Sequence, residues 1–542
     1  MGSIKIFKAI VLICWVSYSA SAQENRYMVF FKDKSGIPFT VAQPIEFLSQ
    51  KAIDRRLRQG IDISPQDLPV NSAYLNGVRN AGAKVFYQTR WMNGVLVKCD
   101  PTVLSAVQNL AYVDHVEFVA PPVSSSGGGR KSFNLHRKNN HTGFETENQL
   151  RMIGVDRMQE GEYKGEGVVI ALFDSGFRGV NLTSPFAHIF SEGRYNDKVS
   201  FDFVHNSADV FQYDDHGTQV LSVIAANVPD AYTGGAYEAN FQLYITEEVP
   251  TEYRVEEYNW LFAAERADSA GVDIINSSLG YYDFDDPLMN YSLEQMDGKT
   301  AVVTKAAQWA ADRGILVIAS AGNEGNLPAW RIITAPADAR DVLAIGAVNS
   351  TLQKSNSSSI GPTADGRIKP DLAALGVGVK VVNATGQIST ASGTSLSAPL
   401  VTSLAAGILQ RYPDLTNKQI MDLLRQTASQ GNKPDNALGY GIPNFVALVN
   451  FQEQAPQTNL FDVYPNPLID DTLMVSPLDP ALIDSCEMEI ISSQGQRVGQ
   501  YTIHFNWLNR TFKKDISSLA SGIYYIRIFS QQIRYTFKVV KL

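Results

Sequence analysis

The sequence contains little cysteine and little histidine, and both shortages narrow the kind of protein that it can encode. Three cysteines occur in 542 residues: Cys14, Cys99 and Cys486. The last two lie near opposite ends of the chain, which argues against a disulfide framework. The seven histidines form no cluster with the cysteines at the spacing of metal ligands. We therefore expect no metal or other cofactor held by these residue types.

Long basic blocks are also missing, and the formal net charge is −9 at pH 7. A protein that binds a phosphate backbone needs a concentrated positive surface, so nucleic acid is not an expected partner. Apolar runs of membrane-spanning length are absent beyond the N-terminus, and we expect no membrane span. The hydrophobic content of 44%, with 19% charged residues, is typical of an ordinary folded protein with a large core.

The N-terminus has the three regions of a secretory signal peptide. Lys5 and Lys8 precede an apolar run at 9–16, and small residues follow at 20–22. The apolar run is too short for a permanent transmembrane helix. The sequence therefore predicts that residues 1–22 direct export and are then removed.

The next two units mix helices and strands. Residues 24–122 combine strand patterns such as RYMVFFKD with amphipathic helices such as IEFLSQKAIDRRLRQG, which predicts a small α+β domain. A Ser/Gly-rich linker follows at 123–140. In 141–450, continuous apolar runs such as GVVIALFD and GILVIASAGN alternate with helical patterns. This alternation predicts a doubly wound α/β domain with a mostly parallel sheet, whose sites gather at the carboxyl ends of the strands.

The C-terminal unit has a different pattern. After a polar linker at 451–460, residues 461–542 alternate apolar and polar side chains, as in GIYYIRIF. Such alternation is typical of strands with one buried face, and the segment SSQGQ supplies a turn. We predict a small β-sandwich here.

The segment GTSLSAPL, residues 393–400, places small side chains at a predicted helix start. Apolar residues follow at the spacing of a core-facing helix, and Pro399 is tolerated where no backbone N–H is needed, as in a first helical turn. Ser395 therefore lies at or near a helix N-terminus. It either caps that helix, the usual role of serine there, or acts as a nucleophile. The choice depends on whether a base, a carboxylate and an oxyanion donor occur elsewhere.

Three residues at the ends of predicted elements supply those groups. Asp174 ends the strand GVVIALFD, His216 precedes a small-residue helix, and Asn323 directly follows the strand GILVIA. Taken singly, each has a plain structural alternative as a turn cap, a structural histidine or a turn residue. Together with Ser395 they lie at the ends of elements of one predicted sheet, where a single cleft can collect them.

The motifs Asp174-Ser-Gly, His216-Gly-Thr, Ala-Gly-Asn323 and Gly-Thr-Ser395, in this order, resemble those of the subtilisin-like serine proteases. The resemblance implies a subtilisin-like fold for 141–450. It also implies that Ser395 attacks a peptide carbonyl, that His216 carries the proton, and that Asp174 orients the imidazole. In the same scheme, Asn323 donates a hydrogen bond to the oxyanion.

The segment INSSLG, residues 275–280, adds to this resemblance. In the family it supplies an edge that pairs with the substrate backbone, which maps here to Ser278, Leu279 and Gly280. Binding an extended peptide at a sheet edge tolerates many sequences. The implied substrates are therefore proteins or peptides.

The flanking units also resemble parts of known precursors. Residues 24–122 are similar in size, pattern and position to the propeptides of this family, which implies an intramolecular inhibitor; the alternative is an unrelated substrate-binding domain. Residues 461–542 resemble the sorting domain recognised by the type IX secretion system, on motifs that include YPNP at 464–467 and the closing KVVKL. That resemblance implies contact with an export machinery and a secreted or cell-surface location. The alternative is a β-sandwich that binds carbohydrate or protein.

An acidic loop, YYDFDDP, contains Asp283, Asp285 and Asp286. The loop could bind calcium or favour basic substrates. Three carboxylates alone do not define a coordination geometry, so a solvated loop is the simpler interpretation and we assign no metal.

The whole sequence predicts a secreted serine endopeptidase made as a self-inhibited precursor. The alternative is a catalytically silent surface protein that binds partners on a protease scaffold.

Overall fold

The computed structural model describes most of the chain outside its N-terminus and linkers. The described residues are 24–122, 146–454, 460–478, 485–505, 511–530 and 534–542. The predicted signal peptide at 1–22, the predicted linker at 123–140 and half of the linker predicted at 451–460 lie outside them. Within the described ranges, no helix has the length and apolar character needed to cross a membrane.

The N-terminal unit combines a four-stranded antiparallel sheet with three α-helices. Its elements are β1 (Asn25–Phe31), α1 (Gln50–Arg58), α2 (Ser72–Asn80), β2 (Lys84–Thr89), β3 (Gly94–Cys99), α3 (Pro101–Gln108) and β4 (Val113–Ala120). The strand order is β2-β3-β1-β4. Successive side chains of β1 point to opposite faces: Val29 packs against α2 and α3, whereas Met28 packs into the core of the next unit. The small α+β domain predicted from the sequence is confirmed.

The central unit is a larger α/β domain. The first half of its elements comprises α4 (Glu147–Met152), α5 (Val155–Glu160), β5 (Val169–Asp174), α6 (Ala187–Ser191), β6 (Phe201–Asp202), α7 (His216–Ala225), β7 (Asn227–Val228), β8 (Tyr232–Thr233), β9 (Asn240–Ile245) and α8 (Val255–Ala270). The second half comprises β10 (Ile274–Ser277), α9 (Val302–Asp312), β11 (Leu316–Ser320), β12 (Val342–Val348), β13 (Leu372–Leu375), β14 (Val379–Val382), β15 (Ile388–Ala391), α10 (Thr394–Arg411), α11 (Asn417–Gln426) and α12 (Phe445–Gln454).

Seven strands of this unit form one parallel sheet in the order β13-β12-β11-β10-β5-β9-β6. The apolar run of β5 is explained by helices on both sides. Ile170 and Leu172 pack into one core with α7 and α10, while Ala171 and Phe173 pack into a second core with α8 and α9. The predicted doubly wound α/β class is confirmed, and the carboxyl ends of β5, β10 and β11 come to lie along one edge.

The C-terminal unit consists of two antiparallel sheets. Its strands are β16 (Phe461–Tyr464), β17 (Thr472–Pro477), β18 (Ser485–Ser492), β19 (Arg497–His504), β20 (Phe512–Asp515), β21 (Gly522–Phe529) and β22 (Arg534–Lys541). One sheet has the order β16-β17-β20 and the other β19-β18-β21-β22. Val475 of the first sheet shares a core with Met488 and Ile526 of the second. This packing confirms the predicted β-sandwich.

Cys99 in β3 and Cys486 in β18 are both buried and both free. Burial raises the pKa of each thiol to about 11. The two side chains therefore behave as small apolar core groups.

Candidate active site

Asp174 and His216 form a directly hydrogen-bonded pair at the carboxyl end of β5. Asp174 ends the strand and is fully buried, and its Oδ1 accepts a hydrogen bond from the Ser175 backbone N–H at 2.8 Å. The same oxygen lies 2.8 Å from Nδ1 of His216. Because a carboxylate can only accept, Nδ1 is the protonated nitrogen of the imidazole, and Nε2 of the neutral ring is an acceptor. The pair thus has the arrangement of a general base with its orienting carboxylate.

The residue after the histidine allows this close approach. His216 is the first residue of α7, and Gly217 packs against the loop that follows Asp174. A Cβ at Gly217 would lie 2.5 Å from the Gly176 carbonyl oxygen and 2.9 Å from Cβ of Asp174. Any side chain there would push α7 away from β5, so the glycine beside the histidine is sterically required.

Ser395 is the second residue of α10, as the sequence predicts, and is 5% exposed. Its Oγ donates to the Ser278 carbonyl oxygen at 3.3 Å, and Ser278 Oγ donates back to the Ser395 carbonyl oxygen at 2.8 Å. The serine is therefore tied to the segment that follows β10. The 18-residue helix directs the positive end of its dipole toward this position.

Pro399 is placed differently from the prediction and explains the exchange of hydrogen bonds. It is the sixth residue of α10, in the second turn and not the first. Without an N–H, it leaves the carbonyl of Ser395, four residues earlier, without its helical donor. The hydroxyl of Ser278 supplies the missing hydrogen bond. A proline inside the helix thus couples α10 to the end of β10.

Asn323 lies three residues after the end of β11, against the start of α10. Its Oδ1 accepts hydrogen bonds from the Thr394 backbone N–H at 2.9 Å and from Thr394 Oγ1 at 3.1 Å. Because Thr394 holds the side-chain oxygen of Asn323, the amide nitrogen of Asn323 points away from Thr394. It lies 3.9 Å from the position that a Cβ on Gly393 would occupy. Asn323 can therefore offer an N–H donor beside Ser395.

The predicted substrate-binding residues follow β10 directly. Ser278 and Leu279 are buried, whereas Gly280 is partly exposed. The carbonyl oxygen of Leu279 accepts a hydrogen bond from Ser320 Oγ at 3.3 Å. The segment is thus anchored on one side by β11 and on the other by Ser395.

Two neighbouring residues, Ser175 and Glu324, contribute to the site although the sequence analysis gave neither of them a role. The single proton of the Ser175 hydroxyl lies between two carboxylates, with Oγ 2.9 Å from Asp214 Oδ2 and 3.2 Å from Asp174 Oδ1. Glu324 accepts a hydrogen bond from Ser359 Oγ at 3.0 Å, and burial raises its pKa above the ordinary value of 4.5. Both residues are adjacent in sequence to a predicted site residue, which is the only signal that could have found them.

The acidic loop uses its carboxylates for local hydrogen bonds. Asp283 Oδ1 accepts from the Asn290 side chain at 2.7 Å, and Asp286 Oδ1 accepts from the Leu288 N–H at 3.0 Å. Asp285 Oδ2 accepts from the backbone N–H of Glu252 at 3.2 Å. These contacts favour a structural role for the loop.

A second acidic group is formed by Glu247, Glu252 and Glu256, whose carboxylate oxygens lie within 4.8 Å of one another. Glu256 Oε1 accepts the backbone N–H of Glu248 at 2.8 Å, and Glu247 Oε1 accepts from Thr246 Oγ1 at 2.8 Å. Because these carboxylates already hold parts of the polypeptide, we assign no ion to them.

A parallel sheet with an Asp–His pair at the end of one strand, and a serine at the start of a long helix much later in the chain, is the architecture of a subtilisin-like domain. Residues 165–441, about half of the chain, match the model of the subtilase family (Peptidase S8). The chain therefore belongs to the subtilase family.

The flanking units match two further family models. Residues 26–136 match the Peptidase S8 propeptide domain of Bacteroidota, and residues 462–542 match the secretion system C-terminal sorting domain. The sorting domain indicates secretion or attachment at the cell surface. The three described units are called the propeptide, the catalytic domain and the sorting domain from here on.

Several bacterial proteases are similar to the central part of the chain. Subtilisin NAT from Bacillus subtilis subsp. natto is 31% identical over 270 residues, which cover 49% of this chain and 62% of the relative. Serine protease AprX from Bacillus subtilis is 30% identical over 314 residues, which cover 52% of this chain and 65% of that protein. The match thus spans less than two thirds of either relative.

A solved structure resembles a larger part of the molecule. The epidermin leader peptide processing serine protease from Staphylococcus aureus aligns with 80% of this chain and 100% of its own, with a TM-score of 0.55 and 17% sequence identity. At this level of identity the likeness concerns the fold alone.

Proposed function

We propose that this chain is the precursor of a secreted serine endopeptidase in which Asp174, His216 and Ser395 form the catalytic triad. The observation that carries the proposal is the 2.8 Å contact of His216 Nδ1 with buried Asp174 in a subtilase domain. In the structure the Ser395 hydroxyl donates to the Ser278 carbonyl oxygen. When the hydroxyl turns to Nε2 of His216, which the contact with Asp174 keeps unprotonated, Nε2 accepts its proton as Oγ attacks the scissile carbonyl. The imidazolium then gives that proton to the leaving amine, and water hydrolyses the acyl-enzyme in a second, equivalent cycle.

The negative charge on the attacked oxygen is stabilised by groups at the start of α10. The Asn323 side chain donates one hydrogen bond, and the Ser395 backbone N–H donates another along the helix axis. The hydrogen bonds from Thr394 to Asn323 Oδ1 support this role, because they hold the amide with its nitrogen available. Such donors act most strongly when they are fixed before the charge develops.

Protein or peptide substrates bind in an extended form along Ser278, Leu279 and Gly280 by adding a strand to this edge. The anchoring of Ser278 to Ser395 supports the assignment, since it fixes the edge relative to the nucleophile. The propeptide acts as the intramolecular inhibitor until it is cleaved off. The sorting domain is the contact for the export machinery.

The test is covalent labelling of the processed protein by a fluorophosphonate, which reacts with an activated serine. The Ser395→Ala variant is expected to fold and to lose both the label and casein hydrolysis, because Oγ is the reacting atom. Ser397→Ala is the matched control: Ser397 is buried in the same helix and should be dispensable for labelling. A folded, processed protein that takes up no label would instead support a silent binding protein on a protease scaffold.

A further inference from the structure

One face of the sorting domain is covered by the propeptide. In β18 and β21 the side chains alternate: Met488 and Ile526 point into the core of the sandwich, whereas Ile491 and Tyr525 point outward. An outward-facing side chain on a sandwich ordinarily meets water. Ile491 is nevertheless 4% exposed and Tyr525 8% exposed.

The residues that cover this face belong to helix α1 of the propeptide and to the segment just before it. Ile491 and Tyr525 form a separate apolar cluster with Leu48, Ile53 and Leu57, which are 1–5% exposed. These residues belong to none of the other described cores, so the apolar surface of Ile491 and Tyr525 is buried mainly by this contact. The cluster is therefore an interface between two domains and not an extension of the sandwich core.

Polar contacts surround the apolar cluster. Arg527, which is 4% exposed, pairs with propeptide Asp62 at 2.5 Å and with Glu489 of its own sheet at 3.3 Å. Tyr525 Oη donates to Asp54 Oδ1 at 3.5 Å. Gln50 of α1 donates to the backbone carbonyl of Ser493. An apolar centre with a polar rim is the composition of a specific protein interface.

The turn between β18 and β19 is shaped to fit the propeptide. Gly495 has a φ of +79°. A Cβ at Gly495 would lie 3.0 Å from Cγ of Pro44 and 3.1 Å from Cγ2 of Ile53. Both the backbone conformation and the close approach favour glycine at this position.

Helix α1 contacts the catalytic domain at the same time. Arg55 and Arg56, also on α1, pair with Asp268 of α8 at 2.5 Å and 2.7 Å, and all three side chains are 0–1% exposed. Helix α1 therefore contacts both neighbouring domains. When the catalytic domain orders α1, the helix is already in the conformation that binds the sorting domain. The reverse also holds, because coupling between two binding sites is reciprocal.

We propose that the sorting domain docks on α1 of the propeptide and thereby helps to hold the propeptide on the catalytic domain. Removal of the propeptide then removes the surface on which the sorting domain docks. Cleavage of the propeptide and release of the sorting domain are therefore coupled. The covalent tether supports docking, because it keeps the sorting domain at a high local concentration near α1. The inference involves no catalytic group and stands independently of the proposed protease activity.

The experiment uses the full chain with Ser395→Ala, and the intact mass of the sample verifies that the precursor is uncleaved, so the result does not depend on the triad assignment. Ile491→Asp places a charge in the apolar cluster on the outer face of the sheet. We expect amide hydrogen exchange in α1 to become at least about tenfold faster. The radius of gyration from X-ray scattering should increase, because the sorting domain dissociates from α1 while it stays covalently attached.

Ile523→Asp is the matched control, because Ile523 lies on the same face of β21 but is 38% exposed and outside the cluster. It should change neither exchange in α1 nor scattering. A result in which Ile491→Asp behaves like Ile523→Asp would overturn the proposal.

A charge exchange separates loss of docking from loss of folding. Asp62 is 74% exposed at its side chain, so Asp62→Arg leaves the propeptide fold intact and sets two cations against each other. We expect it to speed exchange in α1 about two- to fivefold. Adding Arg527→Asp together with Glu489→Gln should restore slow exchange, because Arg527 also pairs with Glu489 and the amide avoids a second carboxylate beside the new aspartate. If this combined variant is no slower than Asp62→Arg, the pairing does not hold the domains together.

Discussion

Pro399 and Ser278 show how single residues tie distant elements of the catalytic domain together. The proline removes one hydrogen bond from α10, and the hydroxyl of Ser278 replaces it at the Ser395 carbonyl. The Ser395 hydroxyl donates in return to the Ser278 carbonyl. The candidate nucleophile therefore begins in a defined position, which is the condition for efficient attack on a bound peptide.

The Asp174–His216 contact leads to a prediction at this scale. Asp174→Asn keeps the shape of the side chain but presents an amide, which favours the wrong imidazole tautomer. We expect kcat for peptide hydrolysis to fall about 10⁴-fold, the value found for this kind of change in serine proteases, with little change in folding. Steady-state kinetics on a peptide substrate provide the measurement.

Asp209→Asn is the control for that variant. Asp209 is exposed, and its Oδ1 accepts a hydrogen bond from the Phe211 backbone N–H at 2.9 Å. It should keep most of the activity. Equal losses in the two variants would contradict the role given to Asp174.

At the scale of elements, α8 is unusual because it buries acidic side chains along its length. Glu257, Glu265 and Asp268 are 0–7% exposed. The helix lies between the parallel sheet and the propeptide, so positions that would face water in an isolated catalytic domain are covered. Each buried carboxylate has its own partners, as burial of a charge requires.

Glu257 gives this helix a pH dependence. Burial raises its pKa from 4.5 to about 7, while it accepts hydrogen bonds from Tyr291 Oη at 2.8 Å and the Val303 N–H at 3.1 Å. The folded protein keeps the proton over a pH range in which the unfolded chain has lost it. The stabilisation is therefore complete below about pH 4.5 and is lost as the pH rises through about 7, by roughly 3 kcal/mol.

We expect Glu257→Gln to remove this loss, because the amide remains neutral at every pH. Thermal unfolding between pH 5 and pH 8 should show a flatter dependence than in the unmodified chain. Glu294→Gln serves as the control, since Glu294 lies in an exposed 3₁₀ turn. An unchanged slope in Glu257→Gln would show that another group causes the pH dependence.

At the scale of the whole molecule, a network of buried charges joins the propeptide to the catalytic domain. Arg55, Arg56 and Arg90 of the propeptide all pair with Asp268, at 2.5–2.8 Å. Burial alone would raise the pKa of Asp268, but the nearby guanidinium groups outweigh it and hold the pKa below 3.8. In the reverse direction, Arg313 of the catalytic domain pairs with Asp67 of the propeptide at 2.8 Å.

The network predicts a large effect of one substitution. Asp268→Asn leaves three buried guanidinium groups without their shared anion. The binding of the propeptide to the catalytic domain should therefore weaken by about 3–5 kcal/mol. In the full chain with Ser395→Ala, calorimetry should show the propeptide unfolding at a lower temperature, before the catalytic domain.

Asp312→Asn is the matched control. The Asp312 side chain contacts Gln308 on the exposed side of α9. It should leave the unfolding profile unchanged. A single unshifted transition in Asp268→Asn would mean that the ion network does not hold the propeptide.

Much of this architecture was predictable from the sequence because it follows from local patterns. Continuous apolar runs indicate strands covered on both faces, and the strand GVVIALFD does lie between two helical layers. The same apolar patterns predicted that the ends of strands or helices lie at or near Asp174, Asn323 and Ser395. The exact position of Pro399 was not, because the helix begins at Thr394, further from the proline than a first-turn position allows.

The sequence by itself determined the three kinds of unit, their order and the residues that end the central strands, since periodicity and composition act over a few residues at a time. Only the tertiary structure decided which charges meet and which faces are covered. Arg55 and Asp268 are 213 positions apart, and Asp62 and Arg527 are 465 apart. No local pattern links such pairs, because their proximity is set by how whole domains pack and exclude water.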